Sequence, residues 1–184
     1  MAFISPDWFT GMIMYGFVYA LPMILGICIV ILGILKNMNV KILALGAVIM
    51  ILALPCSSLI IHEMFEVPSV QEKTITVQEW QPKPGLKVQD GMMVVNSADD
   101  LILITTEEEA FSNEESFWFG KFNTRDIFNQ LKVNGTYKIK YYGWREGYNS
   151  GFPNILSIEE VVNENNTTPH EYNKYFGNVF VTTR

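Results

Sequence analysis

Two histidines, His62 and His170, are the side chains best suited to proton transfer near neutral pH, and 108 positions separate them. His62 stands beside Glu63, and such a pair can relay a proton. At the end of a long apolar run it reads more simply as an interfacial polar anchor. His170 would have to serve any Ser–His–Asp set, but it lies in an Asn- and Thr-rich stretch, and no G-x-S-x-G elbow accompanies it. Both cysteines, Cys28 and Cys56, fall inside apolar runs and act there as small apolar residues. A Cys–His nucleophile and a CxxC site are therefore excluded from the rest of the chain. Seven carboxylates and no basic residue lie between Asp99 and Glu115. Oxygen ligands suit Ca²⁺, but the D-x-D-x-D-G order is missing, so the stretch reads as a solvated acidic loop. The sequence predicts no catalytic set, no metal centre and no cofactor.

What remains is recognition. Tyr137, Tyr141, Tyr142, Trp144, Tyr148 and Phe152 form an aromatic group. Alternation along a strand sends some of these rings into a core. The candidates for a ligand face are Tyr142, Trp144 and Tyr148, with Arg145 adding charge. Residues 63–184 carry 11 basic and 18 acidic side chains, a net charge of −7. An acidic domain repels phosphate backbones, so nucleic acid is excluded as a partner. The same balance disfavours an anionic membrane surface. A glycan or a peptide is left as ligand for the aromatic face.

The elements that must position these residues divide the chain in two. Gly11–Leu35 and Ile42–Ile61 contain no charged residue, and six residues separate them. About twenty apolar residues at ~1.5 Å each cross the ~30 Å hydrocarbon core. Residues 1–66 are therefore expected to form a transmembrane helical hairpin. The first run lacks a basic n-region and is too long for a cleaved signal, so it is expected to be retained. Lys36 and Lys41 lie in the connecting loop, and neither flank has a basic residue nearby. The positive-inside rule then puts the loop in the cytoplasm of a plasma membrane, with both termini and the soluble domain outside. No ionisable residue lies within either run, which argues against an ion path formed by this chain alone.

Residues 67–162 are expected to form a mostly-β domain. Lys73–Trp80 alternates Ile75, Val77 and Glu79 against Thr74, Thr76, Gln78 and Trp80, a strand pattern. Two prolines and a glycine break it at Gln81–Gly85. Gly91–Asn96 and Leu101–Thr106 read as two strands of a hairpin turned at Ser97–Asp100. Ser116–Phe122 reads as an aromatic strand. Arg125–Leu131 reads as a short helix with Thr124 as N-cap, Asp126 in its first turn, and Ile127, Phe128 and Leu131 on its apolar face. Asn134-Gly135 signals a turn. Thr136–Trp144 and Asn154–Val162 read as strands around a Gly147–Pro153 loop. Residues 163–184 form a polar tail, with Phe176–Thr183 as a candidate last strand.

Strand, hairpin, aromatic strand, short helix, strand, loop, strand: this order resembles an OB-fold barrel, in which a helix typically separates the third and fourth strands. The resemblance rests on Asn123–Val162 and is one of element order. An antiparallel sandwich is the alternative. Membrane helices followed by a small OB-like barrel are similar in plan to the NfeD-type membrane proteins. That plan implies a barrel used for interaction and not for catalysis. The sequence thus predicts a membrane-anchored accessory or scaffold protein. Its partners would be the bilayer and another membrane protein, or a second copy of itself. A glycan- or peptide-binding module is the alternative function.

Overall fold

A computed structural model describes residues 8–83, 88–89, 92–93, 95, 97–145 and 151–164. The chain divides into two compact units, Met1–Pro68 and Ser69–Arg184.

The first unit is a helical hairpin. Helix α1 spans Trp8–Leu35 and α2 spans Val40–Ile61, and both are long and apolar enough to cross a membrane. Asn39 caps α2 by accepting from the Lys41 amide at 3.0 Å, so the turn between the helices is shorter than the charge pattern predicts. The helices meet at glycines. A Cβ on Gly26 would lie 2.5 Å from Met50 Cγ, and one on Gly46 would lie 2.8 Å from Val30 Cγ2. Small residues allow this approach of backbones.

A hydrogen bond fixes the register. Pro22 lies inside α1 and has no N–H, which deprives the carbonyl of Val18 of its usual donor four residues on. Ser57 of α2 supplies the replacement, its Oγ donating to Val18 O at 2.7 Å. Freed carbonyls in apolar helices are commonly satisfied in this way. Ser57→Ala is expected to weaken the helix pairing by about 1 kcal/mol, and Ser57→Thr, which keeps the hydroxyl, by less. Detergent-induced separation of the helices, read by energy transfer between labels on α1 and α2, checks this. Identical curves for the wild type and the alanine variant would reject it.

Beyond α2 a π-type turn, His62–Glu66, places the His62 imidazole Nδ1 2.9 Å from Glu66 Oε2. The partner of His62 is thus Glu66, one turn on, and not the adjacent Glu63 that the sequence suggests. His62 is nonetheless buried.

The second unit is mostly β. Its strands are β1 (Gln71–Pro82), β2 (Val88–Gln89), β3 (Met92–Met93), β4 (Leu101–Thr105), β5 (Ala110–Ser112), β6 (Thr136–Tyr142) and β7 (Asn154–Asn163). Helix α3 spans Thr124–Gln130. Five strands form one sheet in the order β1–β4–β5–β7–β6, and the pairings return from β6 to β1. β1 serves both ends of this order: residues 71–76 pair with β6, and Val77 to Pro82 pair with β4.

The change of partner coincides with a register shift between Val77 and Glu79. An extra residue in a strand turns the following side chains to the opposite face. Trp80 therefore joins Ile75 and Val77 in the core, instead of facing away from them as strict alternation predicts. The strand also continues through Pro82, past the break predicted at Gln81.

The core gathers Ile75, Val77, Trp80, Leu101, Leu103 and Phe111 from the sheet, together with Ile127, Phe128 and Leu131 of the α3 segment. These last three are the apolar face expected of the helix. Asn123, not Thr124, is its N-cap residue, and it makes no side-chain capping bond. The Lys132–Gly135 turn docks on the shifted part of β1. Val77 N donates to Gly135 O at 2.9 Å, and Asn134 N donates to Val77 O at 2.8 Å. A Cβ on Gly135 would lie 2.5 Å from the hydroxyl of the buried Tyr137, so only glycine fits there.

Three further expectations are corrected. Residues 97–100 are not a hairpin turn. Ala98–Asp100 is a 3₁₀ turn with a Ser97–Asp100 capping box, β3 pairs back on β2, and β4 pairs with β1 and β5. The acidic stretch contains a strand, β5, whose Phe111 is buried. Ser116–Phe122 is a turn: only Ser116 and Lys121 pair, in an isolated bridge. The predicted strand at Phe176–Thr183 lies outside the described residues.

Candidate functional site

The aromatic turn follows from its backbone. Gly120 has φ +64°, a conformation glycine adopts without penalty. Ser116 and Lys121 exchange both backbone hydrogen bonds, at 3.0 and 2.9 Å. Four residues are thereby looped out. Phe117 is 75% exposed and Trp118 37%, and the neighbouring Phe122 is 61% exposed. Phe119 instead folds back on Tyr142, with ring centroids 4.5 Å apart.

Lys121 ends this turn, and only 4% of it is exposed. Its ammonium donates to Asn113 Oδ1 at 2.9 Å and to Asn154 Oδ1 at 3.1 Å. Asn113 is itself buried and donates to Thr124 O at 2.7 Å, just where α3 begins. Asn154 opens β7, donates to Glu114 O at 3.0 Å and accepts from Glu114 N at 2.8 Å. Its amide also lies 3.2 Å from the Tyr142 hydroxyl. Burial pushes the Lys121 ammonium down from 10.5 to about 8, and the nearby charges of Asp99 and Glu114 oppose the shift. Among the described residues the buried Oδ1 of Asp99 has no hydrogen-bond partner, and the Asp99 carboxylate interacts with the Lys121 charge. A buried amine is the usual start of Schiff-base chemistry. Here, however, the amine is engaged by two amide oxygens and ties the turn to β5 and β7.

Beside the turn is an open groove of about 610 Å³ lined by Phe119, Phe122, Lys140, Leu156 and Ser157, with Lys121 at its base. A second cleft, of about 410 Å³, is lined by residues 108–111, from the β4–β5 turn into β5, and by Arg145, Phe152 and Pro153. The Arg145 guanidinium stacks on the Phe152 ring at 4.2 Å and donates to Gly151 O at 2.8 Å. Glu108, Glu109, Ala110, Phe111 and Pro153 complete the lining. Both Glu109 carboxylate oxygens lie 2.6 Å from Lys73 Nζ, and this bond holds the Lys73 pKa above its usual value. Glu108 sits at φ +61°, the left-handed corner of the turn.

The residues expected to share a ligand face are thus distributed. Arg145 lines the cleft. Tyr142 turns to Phe119 and Asn154, on the side of the other groove. Trp144 is half-buried between them in sequence. Tyr148 lies outside the described residues. Sequence reasoning missed Lys121, Asn113 and Asn154 altogether. The signal on offer was a lone lysine within an aromatic run. Among the described residues, no group of three His, Cys, Asp or Glu side chains is placed to hold a metal ion.

Residues 95–183 match a family described as "Protein of unknown function (DUF1523)". No curated protein and no solved structure matches the chain.

Proposed function

We propose that this chain is a membrane-anchored accessory protein whose β domain binds a partner protein. The two long apolar helices act as the anchor. By the positive-inside rule, the lysines of their connecting turn favour a cytoplasmic turn and a β domain outside. The order β1–β4–β5–β7–β6 with return to β1, and a helix between the third and fourth strands of that sheet, support an OB-like barrel over a sandwich. Loops at the mouth of such a barrel are its usual recognition surface.

The observation that carries the reading is the cleft at Arg145. An arginine stacked on an aromatic ring, in a cleft also lined by Ala110, Phe111 and Pro153, combines residue types that dominate binding energy at protein interfaces. A peptide segment of the partner, with an acidic side chain toward Arg145, fits that arrangement. Crosslinking in the native membrane followed by gentle extraction should recover one partner in fixed ratio. Arg145→Ala should then weaken that complex by about 2 kcal/mol, roughly 30-fold. A wild-type chain that emerges alone would sink the proposal.

A second reading has its own support. A volume of about 410 Å³ lies in the range of small-ligand sites. A glycan or short peptide held against Arg145 and Phe152 is the form that reading takes.

A further inference from the structure

Among the described residues of the β domain, the exposed large apolar side chains are Phe117, Trp118, Phe122, Val161 and Val162. Three of the five therefore belong to one short stretch. Elsewhere in the domain Trp80, Phe111, Phe128 and Tyr137 are buried, so the sequence is not short of interior places for aromatic rings. Water-facing aromatics clustered on a rigid turn mark a contact surface.

The groove beside them has a charge of its own. Its lining includes Lys140 and Lys121 and no carboxylate, within a unit, Ser69–Arg184, of net charge −5. Lys121 directs its ammonium back to Asn113 and Asn154, so the remaining cation of the groove is Lys140, which lies across the strand pair from Glu72 and shares the charge of that carboxylate with Lys138. Neighbouring lysines are differently placed: Lys138 is paired with Glu72 at 2.6 Å and Lys73 with Glu109. A phosphate is the chemistry this groove complements.

Aromatic rings with a lysine at their edge match the headgroup layer of a bilayer, apolar on one side and charged on the other. The chain also brings its own bilayer within reach. Residues 62–70 alone connect α2 to β1, and even a fully extended segment of that length spans only about 30 Å. We propose that the Phe117–Phe122 turn docks on the phospholipid surface, its rings seated at headgroup level and Lys140 on a lipid phosphate. The inference rests on the membrane-anchor reading. The negative charge of the whole domain selects a zwitterionic surface over an anionic one.

Full-length protein in phosphatidylcholine vesicles, with acyl chains brominated near the headgroup, tests this. The Trp8→Phe, Trp144→Phe background leaves Trp118 and the core residue Trp80. Comparison with the same background carrying Trp118→Phe isolates the Trp118 emission. Brominated lipid should lower that emission, because interfacial Trp sits at headgroup level, and Lys140→Gln should reduce the loss. Restoring Trp8, the first residue of α1, reports insertion of the hairpin. Quenching of Trp8 without quenching of Trp118 overturns the docking and leaves the anchor standing. Quenching of neither overturns both. A Trp118 shielded from acrylamide yet untouched by bromine would mean that a protein surface covers the turn, which also overturns the proposal.

Discussion

Trp80→Ala should cost the β domain about 3–5 kcal/mol, the usual range for removing a buried large aromatic side chain. Trp80 is 1% exposed and lies edge-on to Phe128, with ring centroids 5.0 Å apart. Its indole N–H donates to Leu131 O at 3.2 Å, the carbonyl just past the end of α3. One side chain thus fills the core and satisfies a helix terminus that is otherwise buried. Trp80→Phe separates the two roles, because it retains most of the ring and loses the donor. Its expected cost is about 1–3 kcal/mol, that of leaving a buried carbonyl unpaired. Urea unfolding followed by the β-sheet circular dichroism of the full chain measures both. Against a typical total of roughly 5–15 kcal/mol, the alanine variant should be close to unfolded. An alanine variant within about 1 kcal/mol of the wild type would show that the register shift in β1 does not bring Trp80 into the core.

The position of Trp80 also shows where sequence reading stops. The hairpin was legible because a charge-free run of twenty or more residues has few other fates. Strands β6 and β7 and the buried face of α3 were legible because each has a regular period. Trp80 was assigned to the wrong face because strict alternation cannot register an extra residue. That residue is accommodated by the Lys132–Gly135 turn, more than fifty positions away. β5 was hidden because three residues among glutamates carry no usable period. Ser116–Phe122 has the composition of a strand and is bent by one glycine at positive φ. As for the candidate sites, Arg145 and Trp144 were singled out by residue type alone. Lys121 could not be, since its burial depends on asparagines 8 and 33 positions away.

Lys121 should give the β domain a component of stability that grows with alkaline pH. Burial lowers its pKa from 10.5 to about 8 in the folded chain. Below about 8 both folded and unfolded chains carry the proton, and the folded chain bears the full cost of the buried charge. Between about 8 and 10.5 the unfolded chain binds more protons, so stability rises with pH. At roughly 1.4 kcal/mol per pKa unit the total is on the order of 3 kcal/mol. Lys121→Met removes the titrating group and leaves Asn113 Oδ1 without its donor. The stability difference between wild type and variant should therefore widen across that pH window. Denaturant titrations of the two proteins at matched pH values read the difference directly, and other titrating groups cancel in it. A difference independent of pH would mean that the ammonium is solvated in the folded protein.

The strands of the sheet are not paired evenly. β6 and β7 pair along seven positions, whereas β5 and β7 meet at Ser112 and Asn154 alone, running parallel. A sheet is weakest in its backbone where the fewest ladder bonds join neighbouring strands, and among its described pairings this seam has the fewest. Asn154, Ser112 and Lys121 all act there: Asn154 clasps Glu114, Ser112 bonds the carbonyls of Phe152 and Pro153, and Lys121 stitches Asn154 to Asn113. The buried lysine is in this sense a latch made of side chains, placed where the backbone supplies almost none. The same latch secures the base of the aromatic turn, so the stiffness of that surface and the joining of β5 to β7 are one property.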